Sequence, residues 1–166
     1  MKQLIERKNR WMASHITEAE FPTPLSEKGL ALYQAAQKSL TFEPHQALDS
    51  ESSNSLTIYP VDCHPLTIRY SLVLANRWQN ESDKEALIEY LTQIMFEEDS
   101  PAQLFVGFFK GKPAACGMLF HDTEHGTLIC DVAALPVPNQ SALISEMQHS
   151  LAAKAGDQPL YCEQMD

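Results

Sequence analysis

The sequence predicts an α/β fold, in which helices flank a mixed sheet and a helical segment precedes it. Between residues 104 and 163, apolar runs of strand length and one helical pattern follow in the order strand, strand, strand, helix, strand. Residues 1–40 instead carry two helical patterns. With 166 residues, 44% of them hydrophobic and 20% charged, the chain is long enough to bury the core of one soluble domain.

The N-terminal segment is predicted to contain two helices and a linker. In the first helix, basic residues surround an apolar stripe that includes Trp11 and Met12. Such a helix can lie on a membrane surface, but docking on its own domain is the more common outcome, and Trp11 favours it. A second helix is predicted over Ser26–Leu40. Residues 41–55 are polar, with Asp49–Ser55 as a solvated linker, so residues 1–55 form an N-terminal extension.

Residues 56–166 are predicted to form the main domain, beginning with a strand at Leu56–Val61. Pro65 suits the first turn of a helix that continues to the region of Trp78. The next helix has the capping-box pattern Ser-x-x-Glu at Ser82 and Glu85. Two helices therefore separate the first strand from the strands that follow.

The remaining elements begin with a predicted hairpin over 104–120, which turns at Lys110–Pro113, and a third strand at Thr127–Leu135. Asn139 and Gly156 mark the two ends of a helix, and Pro159–Glu163 supplies a last strand. A parallel return places the helix N-terminus at the carboxyl end of the preceding strand, which favours an anionic group there. The same sequence pattern also occurs in strand–helix–strand units that bind no ligand. On geometry alone, a unit without a ligand is the favoured interpretation.

Residues 105–120, 127–136 and 139–147 resemble the core of the GNAT acetyltransferase superfamily. Their sequences are FVGFFKGKPAACGMLF, TLICDVAALP and NQSALISEM. In that family a Pro precedes a pyrophosphate-cradling turn, Gln/Arg-x-x-Gly-x-Gly/Ala, at the start of a helix. Aligning Pro136 with that Pro places Asn139 at the Gln/Arg position, Ala142 at the first Gly and Ile144 at the final Gly/Ala.

The resemblance implies acetyl-CoA as cosubstrate, with the backbone of Val132, Ala133 and Ala134 holding the pantetheine arm. The cradle would be formed by the six residues Asn139, Gln140, Ser141, Ala142, Leu143 and Ile144. None of them is Pro, so all keep their backbone donors. The Gly positions are substituted, however, and the branched Ile144 side chain either obstructs a phosphate or fills core.

Catalytic residues follow from the same resemblance. A carboxylate on or near the third strand often acts as general base in the family, which indicates Asp131. The usual general acid is a Tyr shortly after the last strand, where Tyr161 is the nearest candidate. The family's next helix and two closing strands are expected to be missing from this chain. That absence leaves the edge of the strand at 159–163 open, to be covered by the N-terminal segment or by a second copy in a homodimer.

The implied function is an acyl-CoA-dependent N-acyltransferase acting on an amine of a small molecule or protein. The alternative is a catalytically silent GNAT-like module that binds a ligand or protein, which the altered cradle favours. An ordinary structural subunit is a third reading.

The composition favours some classes of binding partner and argues against others. A net charge of −10 argues against nucleic acid and suits an amine, although it also simply keeps a protein soluble. Four cysteines without CxxC spacing predict a reduced, cytoplasmic setting, and no apolar run predicts a membrane partner. The run His121–His125 contains two His and two acids, but it lies in a predicted turn, so no metal site is expected.

Overall fold

The computed structural model describes residues 1–45, 54–95 and 97–164. Residues 49–53 of the predicted linker at 49–55 lie outside these ranges. The described elements, in chain order, are α1 (Lys2–Thr17), α2 (Pro24–Gln37), β1 (Thr41–Pro44), β2 (Leu56–Pro60), α3 (His64–Ala75), α4 (Glu81–Leu91), β3 (Ala102–Phe109), β4 (Lys112–Asp122), β5 (Gly126–Ala134), α5 (Gln140–Lys154) and β6 (Leu160–Gln164).

The six strands form one mixed sheet in the order β1-β6-β5-β4-β3-β2. Only β5 and β6 pair in parallel, and the other neighbours are antiparallel. Helix α5 packs on one face through Leu143, Met147 and Leu151. The core on the opposite face is formed with residues of the four helices α1 to α4. The predicted α/β fold is confirmed, including the strand order along residues 104–163.

The N-terminal helices are docked on the sheet rather than separate from it. Helix α1 buries a stripe of one residue per turn: Leu4, Lys8, Met12 and Ile16. Helix α2 crosses α4 at Gly29, where an added Cβ would lie 2.1 Å from the carbonyl oxygen of Ala86. This close crossing requires glycine, and it seats Tyr33, one turn further along α2, against the ring of Tyr90 at 5.8 Å between centroids.

Two local predictions are wrong. The polar segment 41–55 begins with a strand, β1, which pairs antiparallel with β6 from Thr41↔Gln164 to Pro44↔Tyr161. Helix α4 is capped by Asn80, whose side-chain oxygen accepts from the N–H groups of Ser82 and Asp83. Asn is as good an N-cap as Ser, so the helix begins at Glu81 and Ser82 lies within its first turn.

Strand β1 covers the edge of β6, one of the two arrangements expected for that edge. A homodimer is therefore not needed to protect β6, and the oligomeric state stays a prediction. The division of the chain at residue 55 also stays a prediction.

Candidate functional site

The parallel strands β5 and β6 separate at their carboxyl ends. Their pairing runs from Thr127↔Leu160 to Ile129↔Cys162, whereas β5 continues to Ala134. The helix that follows β5 begins at this end of the sheet. We call the opening the β5–β6 cleft; it lies where ligands bind in parallel α/β sheets.

A β-bulge distorts β5 at the start of the cleft. Its pairing with β4 shifts register between Cys116 and Met118, and Asp131 has a left-handed backbone with φ of 53°. Positive φ is uncommon for a residue other than Gly, and Asp tolerates it better than most. The bulge directs the Asp131 side chain toward the face covered by the N-terminal helices, where it bonds to Tyr33.

Asp131 is fully buried and is held by a chain of hydrogen bonds from α1 and α2. The Tyr33 hydroxyl donates to Asp131 Oδ2 at 2.8 Å. Lys8 Nζ, itself fully buried, donates to the Tyr33 hydroxyl at 2.9 Å and to Gln37 Oε1 at 2.7 Å. Burial and the charge of Asp131 both raise the pKa of Tyr33, which therefore remains a protonated donor.

A second buried acid, Glu163 on β6, lies beside the first. Its Oε2 accepts from the backbone N–H of Asp131 at 2.9 Å, and its Oε1 accepts from Arg77 at 2.6 Å. Arg77 also donates to the carbonyl oxygen of Val132. Burial raises the pKa of Glu163 although the Arg77 charge opposes the shift. Burial alone would lower the pKa of Arg77, but the charges of Glu163 and Asp131 outweigh it and raise that pKa.

Three buried polar atoms near these acids have no hydrogen-bond partner among the described residues: Asp131 Oδ1, the Tyr70 hydroxyl and Arg77 Nε. The pKa of Tyr70 is raised by burial and by the charge of Asp131. Such unpartnered groups are costly in a protein interior and concentrate at functional sites.

A cavity of about 500 Å³ opens from the cleft toward the start of α5. Two cations, Arg77 and Lys84, line it together with the end of β5 at Val132–Ala134. Gln140 and Ile144 line it from α5, and the Gln140 amide donates to the Ala134 carbonyl at 2.9 Å. The volume lies in the range of small-molecule sites.

The predicted cradle residues divide between this cavity and the core. Asn139 occupies the N-cap position of α5 without a side-chain cap bond, and Leu143 is fully buried in the core. Ile144 does both, because it lines the cavity and packs partly against the core beneath α5. Ser141 and Ala142 are exposed, and helix geometry leaves their N–H groups without a partner inside the helix.

The other sequence-predicted residues lie apart from the cavity. Tyr161 on β6 is half-buried, pairs with Leu128, and packs against the core on the side of α1–α4. His121 Nδ1 lies 2.9 Å from Thr127 Oγ1, and Asp122 forms an ion pair with Arg7 at 2.5 Å.

Within the described ranges, no three His, Cys, Asp or Glu side chains are grouped to hold a metal ion. No described helix is long and apolar enough to cross a membrane.

Sequence reasoning did not find four residues of this site: Lys8, Tyr33, Arg77 and Glu163. Lys8 had a signal, because it interrupts the apolar stripe of α1 between Leu4 and Met12. A charged residue inside such a stripe is buried only when a partner compensates it. Arg77 lies just beyond the C-terminal end of α3, where the sequence carries no comparable signal.

No family model matches this sequence, and no curated protein matches it. Solved structures do match in fold. One is a GCN5-related N-acetyltransferase from Kribbella flavida, with a TM-score of 0.50 and 13% identity over 82% of this chain and 54% of that one. Another is a functionally unknown conserved protein from Staphylococcus epidermidis, with a TM-score of 0.52 and 12% identity over 80% and 55% of the two chains.

The present chain thus spans about half the length of these two proteins. At such low identity the likeness shows the fold alone. The chain has a GNAT-like fold, as its sequence predicted.

The residues around the cavity fit one part of an acyl-CoA better than another. The N–H groups at the start of α5 and the cation Lys84, which lines the cavity, suit its phosphates. The carbonyls of Val132 and Ala134, which would hold the pantetheine arm, already accept from Arg77 and Gln140. A pantetheine arm fits along β5 only when these side chains move away.

Proposed function

We propose that this chain is an acyl-CoA-dependent N-acyltransferase that acts on an amine of a small molecule or protein. The observation that supports the proposal is the β5–β6 cleft, which opens into a cavity lined by the end of β5, the first turn of α5 and two cations. Acetyl-CoA is the proposed cosubstrate. When bound, it supplies a thioester whose acyl group an amine takes over with release of the thiol.

In this proposal the chain's own residues bind and move protons. Lys84 and the N–H groups of Ser141 and Ala142 attract the phosphates. Asp131 Oδ1 accepts the proton of the amine, since Oδ1 has no partner among the described residues while Oδ2 is held by Tyr33. The departing thiolate takes up its proton from solvent, because Tyr161, the acid that the resemblance implies, lies apart from the cavity. The net charge of −10 favours approach of a cationic amine.

Calorimetric titration with acetyl-CoA tests the binding step. We expect saturable binding to the wild type and roughly fivefold weaker binding to Lys84→Met, as for one partly exposed charge contact. Lys38→Met, which removes an exposed lysine of the α2 end, is the matched control and should bind as the wild type does. If no folded version binds acetyl-CoA, the acyltransferase proposal is rejected.

Turnover is tested separately, by mass spectrometry of a panel of polyamines and lysine-containing peptides incubated with acetyl-CoA. Acetylation that is lost in Asp131→Asn, measured on folded protein, supports the proposal. Binding without transfer to any amine favours the second candidate.

The second candidate is a catalytically silent GNAT-like binding module. One observation favours it: side chains of the chain itself, Arg77 and Gln140, engage the β5 carbonyls at the cleft. The enclosure of Asp131 behind α1 and α2 points the same way, because a proton acceptor must be reached by the amine.

A further inference from the structure

Arg77 is placed so that it joins the two strands of the cleft. Its guanidinium donates to the Val132 carbonyl on β5 and to Glu163 on β6. Glu163 in turn accepts from the backbone N–H of Asp131, so a second bond links β6 to β5. These contacts lie beyond Ile129 and Cys162, where regular strand pairing has ended. They therefore replace the missing ladder and hold the strands together.

The main chain of Arg77 is fixed by hydrogen bonds, so only its side chain can move. Backbone N–H groups of Asn76, Arg77 and Trp78 donate to carbonyls of the last turn of α3 at 3.0–3.2 Å, which fixes the main chain. The side chain lines the cavity and retains 15% of its exposure, against 3% for Glu163. A ligand entering the cavity therefore meets the guanidinium before it meets the carboxylate.

We propose that Arg77 is an autoinhibitory latch, which closes the β5–β6 cleft against the pantetheine arm of an acyl-CoA until the ligand displaces it. The inference rests on the proposed function for the identity of the ligand. The guanidinium and the amides of a pantetheine arm are both donors, and both need the Val132 carbonyl. Ligand binding therefore competes with an intramolecular bond, and the measured affinity is reduced by the fraction of molecules in which the latch is closed.

The first readout requires no ligand. Hydrogen exchange is followed by NMR at two amides of β5: Asp131, which donates to Glu163, and Thr127, which donates to Pro159 O at 2.9 Å below the cleft. In Arg77→Met, loss of the latch should accelerate exchange at Asp131 roughly tenfold relative to Thr127. Taking the ratio of two amides in one strand removes any global change in stability. Lys84→Met, which loses an equal charge from the same cavity, should leave the ratio unchanged.

Arg77→Met leaves the Glu163 charge buried without its partner, and this variant can fail to fold. The double variant Arg77→Met/Glu163→Gln removes both charges at similar volume, and its Gln oxygen can still accept from the Asp131 amide. The same rise in the exchange ratio is expected there, since the bond from Arg77 to β5 is lost in both variants.

The second readout is calorimetric titration with acetyl-CoA. The latch predicts tighter binding to the Arg77 variants than to the wild type, whereas Lys84→Met binds more weakly. An unchanged exchange ratio in both Arg77 variants overturns the latch, whether or not acetyl-CoA binds. Weaker binding by the Arg77 variants also overturns it, since Arg77 would then be a ligand contact. A raised ratio with no binding by any version supports the latch and rejects the proposed function instead.

Discussion

Asp131 and Glu163 are buried acids on the neighbouring strands β5 and β6, but they are neutralised in different ways. The charge of Asp131 is compensated by Tyr33 and Lys8, which belong to the N-terminal helices and are both fully buried. Glu163 is compensated from the cavity side by Arg77, which stays partly accessible. One acid is thus enclosed behind the N-terminal helices, whereas the partner of the other lines the cavity.

The two acids should respond differently when the partner of the buried charge is removed. Removing a partner from an enclosed acid leaves a charge with no access to water, so the fold bears the cost. An acid beside a cavity can take up a proton or a new partner when its old one leaves. The stability of the fold should therefore depend more on the network of α1, α2 and β5, and ligand access should depend more on the Arg77–Glu163 pair.

The largest effect is expected at Lys8. Lys8→Met preserves the stem of the side chain but leaves Tyr33 and Asp131 without the buried cation, and we expect a loss of about 3–5 kcal/mol in the free energy of unfolding. Urea unfolding followed by circular dichroism measures it. Lys2→Met, at an exposed position of the same helix, should stay within about 0.5 kcal/mol of the wild type. Equal effects at the two lysines would show that Asp131 does not depend on Lys8.

A smaller effect is expected at Tyr33. Tyr33→Phe removes the donor to Asp131 Oδ2 and should cost about 2 kcal/mol, since a bond to a charged group is lost. Tyr90→Phe is the matched control, because its buried hydroxyl donates at 2.7 Å to a neutral carbonyl, that of Met12. It should cost only about 1 kcal/mol. If Tyr90→Phe lowers the free energy of unfolding by urea more than Tyr33→Phe does, the Tyr33 hydroxyl does not compensate the charge of Asp131.

The pH dependence of stability should distinguish Glu163 from an ordinary carboxylate. Its pKa is raised above the usual 4.5, so the folded state holds this proton more tightly than the unfolded state does. Its contribution is complete below pH 4.5 and is lost as the pH rises through the folded-state pKa. The wild type should therefore lose stability relative to Glu163→Gln across that interval.

The measurement is the unfolding free energy of the wild type minus that of Glu163→Gln in a pH series from 4 upward, and this difference should fall as the pH rises. Other acids titrate in both proteins and cancel. Glu20→Gln, at an exposed position, should show a flat difference. A flat difference for Glu163→Gln as well would mean that Arg77 keeps this acid ionised throughout.

The smallest effect is expected at Gln140, on the site side of the comparison. Gln140→Ala removes the bond to the Ala134 carbonyl, which costs at most about 1 kcal/mol because water can reach the freed group from the cavity. Differential scanning calorimetry should find a change in melting temperature far below that of Lys8→Met. A loss as large as that of Lys8→Met would assign Gln140 to the core.

The sequence by itself determined the order of the elements over residues 104–163 and the direction of the last connection. The run of strands, helix and strand over 104–163 was predicted because period-two and period-3.6 patterns are local properties of the chain. The turn at Lys110 and Gly111, both with positive φ, was marked by its glycine. Strand β1 was missed because four residues that pair only with β6 leave a weak local pattern.

The tertiary structure alone decided which face Asp131 occupies. Strict alternation would place Asp131 with Ile129 on the face of α5, yet it bonds to Tyr33 on the opposite face. The bulge lies between the pairs Cys116↔Ala133 and Met118↔Cys130, where it adds one residue to β5 and reverses the alternation from that point. Because the bulge, Lys8 and Glu163 are distant in sequence and meet only in the folded sheet, no local pattern could have assembled them into one site.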